Sequence, residues 1–334
     1  MAKMNRRQFG RLALTGTALS AQNSLSPVDI GQRRELFVDR YLIERLAGSA
    51  SLRLHHPQPR ELVLVHDAPW EGTGSGYHSV FQDDGLYRMY YKAYHLDIST
   101  GKLRADAHPG FCCYAESDDG IRWRKPALNL VEFRGSKANN IVLASGPFGG
   151  VNLDAAHPAV FKDANPAAPP AARYKAIVRS ADRKAHGLVA LQSPDGFRWT
   201  PMSGAPVITN GAFDSQNLAF WDPVRGQYRA YWRAFTAGVT NGETWKPSGL
   251  RAIRTGTSSD FLHWQQSDDL QYVDSPAEQL YTNQVKPYHR APHLLIGFPT
   301  RYLEREWSAS LRALPEAEHR QQRSGASQRY GTAM

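Results

Sequence analysis

The chain has 334 residues, 41% of them hydrophobic and 11% aromatic, which is enough for one large repeat domain with an ample core. Its formal charge of +9 is unevenly spread. Lys3, Arg6, Arg7 and Arg11 crowd the start, and Arg301, Arg305, Arg312, Arg320, Arg323 and Arg329 the end, so the body offers no continuous cationic groove and no nucleic-acid partner is expected. The two cysteines, Cys112 and Cys113, are adjacent and would point to opposite faces of a strand, which excludes a disulfide framework. The twelve histidines show no metal-ligand spacing, so neither metal nor cofactor is expected.

In chain order, Asn5-Arg6-Arg7-Gln8-Phe9 precedes a weakly apolar run over 12–21. This resembles a twin-arginine export signal, so residues 1–26 are read as a signal segment and the mature protein as exported, periplasmic or extracellular. No later stretch approaches the roughly 20 apolar residues of a membrane span. Residues 35–43 read as a strand or a strand and turn, with further short strands at 52–54 and 62–65.

A repeat then begins. Ser117-Asp118-Asp119-Gly120-Ile121-Arg122-Trp123 returns as Ser193-Pro194-Asp195-Gly196-Phe197-Arg198-Trp199, and more loosely as Ser259-Asp260-Phe261-Leu262-His263-Trp264. Each copy closes a unit opened by an aromatic-acid phrase: Phe81 to Tyr87, Phe161-Lys162-Asp163 before Tyr174, and Phe220-Trp221-Asp222 before Tyr228. The first unit reads as an inner strand over 76–82, a tight turn at Asp83-Asp84-Gly85, a return strand over 86–94 and a third over 111–116. An Asp-Gly turn and a Trp-bearing fourth strand follow. Four antiparallel strands recurring at this period make a propeller blade, so the fold class is all-β. Residues 164–172, rich in Pro, read as a surface loop, and the best helix candidate spans 304–324.

A fourth unit opens at Tyr281-Thr282-Asn283 and returns through 293–298. Its next strand is expected near 330–333, where the sequence stops. The expectation is about three and a half to four blades, completed either by further sequence or by a partner chain.

The openings, the Ser-x-Asp-Gly-x-x-Trp turns, and the phrases Phe213-Asp214-Ser215-Gln216-Asn217 and Gly297-Phe298-Pro299-Thr300-Arg301 resemble five-bladed β-propellers. The relatives in view are glycoside hydrolase families 32, 43 and 62, especially an exported group of environmental bacteria. The resemblance covers residues 36–334, and the turn motif also looks like a sialidase Asp-box shortened by one residue. It implies a carbohydrate substrate and three acidic residues at the propeller axis, acting as base or nucleophile, pKa-tuning carboxylate and general acid. The matching positions hold Glu71, Asp154 and Asp214, where the family pattern is Asp, Asp, Glu. Asn152 is an alternative to Asp154, and Glu243 is a reserve for the acid.

Hairpin geometry adds cations. The end of each return strand lies beside the start of its inner strand. A fixed offset after the repeated Tyr gives Lys92, Arg179 and Arg233, with Arg301 as the fourth. They would ring the mouth, either locking blades by salt bridges or recognising an acidic or heavily hydroxylated sugar. Trp70, Tyr77 and His78 offer a sugar-stacking wall, and Asn283 completes the expected substrate contacts. The leading expectation is a glycosidase acting on a plant or microbial glycan, with a non-catalytic carbohydrate-binding or interaction propeller as the alternative.

Overall fold

A computed structural model describes residues 27–303 apart from 98–103, 105–106, 183, 242 and 273–274. The signal segment, the helix at 304–324 and the strand near 330–333 lie outside the described residues. The chain divides after His56 into two units. The described part of the first unit consists of turns and extended backbone, with Asp29 and Asp39 accepting hydrogen bonds from the amides of Gly31 and Tyr41. The strands expected at 35–43, 52–54 and, in the second unit, 62–65 do not form. Strand propensity needs a ladder partner, and these segments have none.

The second unit is a β-propeller of antiparallel blades. Blade one is β1 (Gly74–Asp83), β2 (Leu86–Tyr94), β3 (Phe111–Ser117) and β4 (Ile141–Ala144), paired in that order. Blade two runs from β5 (Gly146–Phe148) and β6 (Val151–Lys162) through β7 (Tyr174–Ser180) and β8 (Leu188–Ser193) to β9 (Thr200–Pro201). Blade three is β10 (Leu218–Asp222), β11 (Gln227–Thr240), β12 (Trp245–Ser258) and β13 (Gln265–Asp269). The fourth contains two separate ribbons: β14 (Gln279–Leu280) with β17 (Arg301–Tyr302), and β15 (Lys286–Tyr288) with β16 (Ala291–Ile296). Among the described residues there is no α-helix, and residues 164–172 form a loop ending in one short 3₁₀ turn.

Strand alternation splits the core into layers. Tyr90, Cys112 and Tyr114 face blade two and pack on Leu153, Val160 and Tyr174. Their neighbours Tyr91, Cys113 and Ala115 face the other way, under Trp70, Trp123 and Phe133. The two cysteines are free and buried, one in each layer. Ile177, Leu188 and Ala190 meet Phe213, Tyr228 and Trp232 between blades two and three, and Phe220, Tyr231 and Ile253 meet Val285 and Leu295 beyond.

The inner strands converge. The Val160 amide donates to Ser79 Oγ, 3.2 Å away, which joins β6 to β1. Gln216, just before β10, donates to the Tyr77 and Pro158 carbonyls at 2.7 and 3.3 Å. Gln284 reaches Gln216, and Lys286 Nζ donates to the Val80 carbonyl at 3.1 Å. Blades one to four therefore meet around one axis.

The repeated turn is a hydrogen-bonded device. In blade two, Ser193 Oγ accepts from the Asp195 and Gly196 amides, Asp195 Oδ1 accepts from Phe197 and Arg198, and Trp199 Nε1 donates to the Gly196 carbonyl. Ser117 and Asp119 repeat this pattern in blade one. In blade three the serine is Ser258, not Ser259, so the third copy has full length, with Phe261 at φ 70° where the others have glycine. In blades two and three the fourth strand starts directly after the tryptophan rather than bearing it, as β9 and β13. In blade one Arg124 makes only an isolated bridge to Glu116, and the fourth strand is the later β4.

Gly196 also carries an inter-blade contact, because the Tyr90 hydroxyl donates to its carbonyl at 3.1 Å. A Cβ there would sit 2.4 Å from that hydroxyl at φ +84°, whereas at Gly120, φ +75°, the nearest atom is 3.7 Å away. Gly120→Ala is expected to cost about 1–2 kcal/mol from backbone strain alone, and Gly196→Ala about 2 kcal/mol more through the clash. Urea unfolding midpoints of the two variants check the difference.

Candidate functional site

Two β-bulges build the mouth of the axis. The ladder between β1 and β2 slips between Gly76 and Ser79, and that between β6 and β7 slips between Asp154 and Pro158. A bulge re-aims the side chains it carries. Tyr77 takes φ 54°, a strained value for an aromatic residue, and its ring lies 5.5 Å from that of His157 on the neighbouring blade. Both rings line a cavity of about 480 Å³ together with Lys92, Asp154 and Arg179. A second cavity of about 760 Å³ shares Arg179, Ala181, Asp214 and Tyr281 with the first, so the two form one cleft. The long β11–β12 hairpin supplies its far wall through Phe235, Glu243, Trp245 and Arg251.

Asp154 sits opposite Arg179 in the ladder, as the hairpin argument requires. Its Oδ2 lies 2.7 Å from Arg179 Nη1 and 2.8 Å from His157 Nδ1. Burial acts to raise its pKa, but His157 and Arg179 outweigh that and hold the carboxyl well below the usual range. Burial also draws the pKa of His157 down, against the opposing pull of Asp154. Asp154 is thus a persistent anion facing the cleft.

Asp214 precedes β10 in a loop held by Asn217, which donates to the Phe213 and Ser215 carbonyls. Its side chain is 47% exposed and pairs with Arg233, which is almost wholly buried. Arg233 Nε donates to the Ala212 carbonyl, its guanidinium lies 4.7 Å from the Tyr281 ring centroid, and burial lowers its pKa to about 10. The Tyr281 hydroxyl donates to the Asp214 carbonyl. Lys92 stands over the Tyr77 and Tyr94 rings at 5.0 and 4.6 Å.

Glu71 lies elsewhere. It is fully buried and lines neither cavity. It accepts from the Ala68 amide at 2.8 Å, Lys125 Nζ at 2.7 Å and the Tyr91 hydroxyl at 2.5 Å, with His66 at 3.4 Å. Burial raises its pKa, yet these partners together bring it down to about 2. His66 in turn meets His78, whose ring stacks on Tyr91 and whose pKa burial lowers. Trp70 packs under blade one and donates to Asn140 Oδ1. This group braces the first blade.

The structure therefore gathers Tyr77, Lys92, Asp154, Arg179, Asp214 and Arg233 at the cleft, and Asn152 lines the smaller cavity beside them. Glu71, Trp70 and His78 gather in the brace. Asn283 is buried and bonds the Tyr231 carbonyl, and Arg301 pairs with Glu278 away from both cavities. Sequence reasoning missed His157, His186, Tyr281 and Arg251. Tyr281 opens the fourth unit and Arg251 faces Phe235 across β11–β12, which strand pairing could have disclosed. Nothing in the sequence signals His186, whose Nε2 lies 3.1 Å from the Gly211 carbonyl. Among the described residues no His, Cys, Asp and Glu cluster could hold a metal, and no helix is long and apolar enough to cross a membrane.

No family model matches the chain, and no curated protein matches it. Solved structures similar to it include an N-acetylgalactosamine deacetylase from F. plautii, at 12% identity and TM-score 0.40 over 65% of this chain and 60% of that one. A family 117 glycoside hydrolase from the marine bacterium Zobellia galactanivorans has 12% identity and TM-score 0.40, over 66% and 63%. A fructofuranosidase from Schwanniomyces occidentalis has 14% identity and TM-score 0.41, over 74% and 43%. The chain spans less than two thirds of the length of each.

Proposed function

We propose that this propeller is an exported glycosidase that hydrolyses a plant or microbial glycan in its axial cleft. The carrying observation is that Asp154 and Asp214, from successive blades, border one cleft with aromatic walls, and that Asp154 is held ionised there. Asp154 acts as base or nucleophile, because a carboxylate kept deprotonated can take a proton from water or attack the anomeric carbon at neutral pH. Asp214, fixed by Arg233, orients the sugar. Glu243, exposed on the hairpin rim and lining the same cleft, is the acid that protonates the leaving oxygen. Tyr77 and Tyr281 supply ring faces for the apolar faces of the sugar. Export rests on the Arg6-Arg7 segment.

The test is a panel of polysaccharides and aryl glycosides. Glu243→Gln is expected to lose at least a hundredfold on natural linkages, while aryl glycosides with strongly acidic leaving groups, which need no proton, are spared. Equal losses on both classes, or none on either, would remove Glu243 from the acid role. A non-catalytic carbohydrate-binding cleft is the second reading, favoured by the Arg partner on each of Asp154 and Asp214. Binding to a polysaccharide with no hydrolysis of any panel member would select it.

A further inference from the structure

The buried and half-buried lysines of the propeller body follow a rule. Lys125 pairs with Glu71, Lys162 with Asp83 and Lys175 with Asp163, while Lys286 donates to the Val80 carbonyl. Lys92 breaks it. Among the described residues its ammonium has no ion pair and no hydrogen bond, although the side chain lines the 480 Å³ cavity. The nearby carboxylate, Asp154, is already taken up by Arg179 and His157. Across the ladder stands Gly76, which has no side chain to offer. Two tyrosine faces hold the ammonium in place, and a cation–π contact offsets only part of the cost of removing a charge from water. Burial accordingly lowers the lysine's pKa.

A second cation on the far wall is similarly placed. Arg251 lines the 760 Å³ cavity, and its buried Nε lacks a hydrogen-bond partner. Its guanidinium lies 4.0 Å from the Tyr302 ring centroid and, among the described residues, hydrogen-bonds only the neutral Gln279. By contrast, Arg179 and Arg233 between them each have a carboxylate. The cleft thus has two ion-paired aspartates at its centre and, toward each end, a cation that makes no ion pair among the described residues.

We propose that the glycan bound here carries an anionic substituent, a uronate carboxylate or a sulfate ester, and that Lys92 is its receptor. The anion fills the missing partner of the ammonium between Tyr77 and Tyr94, and charge-assisted hydrogen bonds form in a site shielded from water. The proposal deepens the glycan reading above and rests on it.

The experiment measures binding of three matched oligosaccharide sets, neutral, uronate-containing and sulfated, by calorimetry on the wild type, Lys92→Met and Lys92→Arg. Methionine keeps the apolar stem and removes the charge. The wild type is expected to bind one anionic set at least tenfold more tightly than the neutral set, with a preference that weakens as salt rises. Lys92→Met erases that preference, bringing the favoured anionic set to the affinity of the neutral one, and Lys92→Arg retains it. Which anionic set wins separates carboxylate from sulfate. Equal affinity for neutral and anionic sets, or a preference that survives Lys92→Met, overturns the proposal and leaves the glycan reading standing. Failure of all three sets to bind overturns both.

Discussion

Glu71→Gln should lower the free energy of unfolding by about 2–3 kcal/mol while leaving turnover on a responsive glycoside within a fewfold of wild type. The carboxylate is completely buried and is the common acceptor for Ala68, Lys125 and Tyr91. Breaking a buried ion pair from one side typically costs 3–5 kcal/mol, because the remaining charge stays desolvated. The cost is lower here because Lys125 keeps the Val65 carbonyl and lies within reach of Asp67. Truncation to alanine, which removes every acceptor, should reach the full range. The pH dependence follows from the direction of the shift. The pKa is depressed from 4.5 to about 2, so the carboxylate contributes stability above about pH 4.5 that is lost as pH falls toward 2. Wild type should therefore lose more stability than Glu71→Gln across that interval in chemical denaturation. A variant of unchanged stability with turnover reduced a hundredfold would return Glu71 to the reacting groups.

Asp154→Asn should cut turnover by about a thousandfold, near 4 kcal/mol of barrier, with little change in thermal midpoint. Asparagine preserves shape and a hydrogen-bond acceptor for Arg179 but can neither accept a proton nor attack carbon. Stability is spared because Arg179 is itself about one-third exposed and can be rehydrated. Since His157 and Arg179 hold the Asp154 pKa down, the acid limb that it sets in the wild-type rate profile should lie below the range of an ordinary aspartate, leaving the rate insensitive to this group between pH 5 and 7. Steady-state kinetics across that range check both points. Turnover within tenfold of wild type would end the assignment.

The blade architecture was legible because its signals are local. The Asp84-Gly85 turn takes positive φ at both residues, and β2 runs from Leu86 to Tyr94 as the alternation predicts. The return-strand rule placed Arg179 opposite Asp154, since ladder register is arithmetic. It lost Arg301 because β16 stops at Ile296 and irregular backbone follows, so counting no longer tracks a face. Glu71 was misplaced for a related reason. It lies in a turn before β1, where no alternation fixes direction, and long-range partners such as Lys125 decide that it turns inward. The bulges that aim Tyr77 and His157 were invisible, because one extra residue in a strand leaves the apolar pattern almost unchanged. The strands expected at 35–43 and 52–54 failed where the sequence shows propensity but not pairing.

The contact from Lys286 to the Val80 carbonyl spans 206 residues, whereas every ladder within a blade joins strands close in sequence. Each sheet can consequently assemble from nearby segments during synthesis, but docking the fourth to the first must wait for almost the whole described chain. Among the described contacts, closure of that seam carries the largest loop-entropy penalty and should come late on the folding route. Any ligand held in the cleft, which residues of all four blades line, would then favour the closed seam by mass action and slow its reopening.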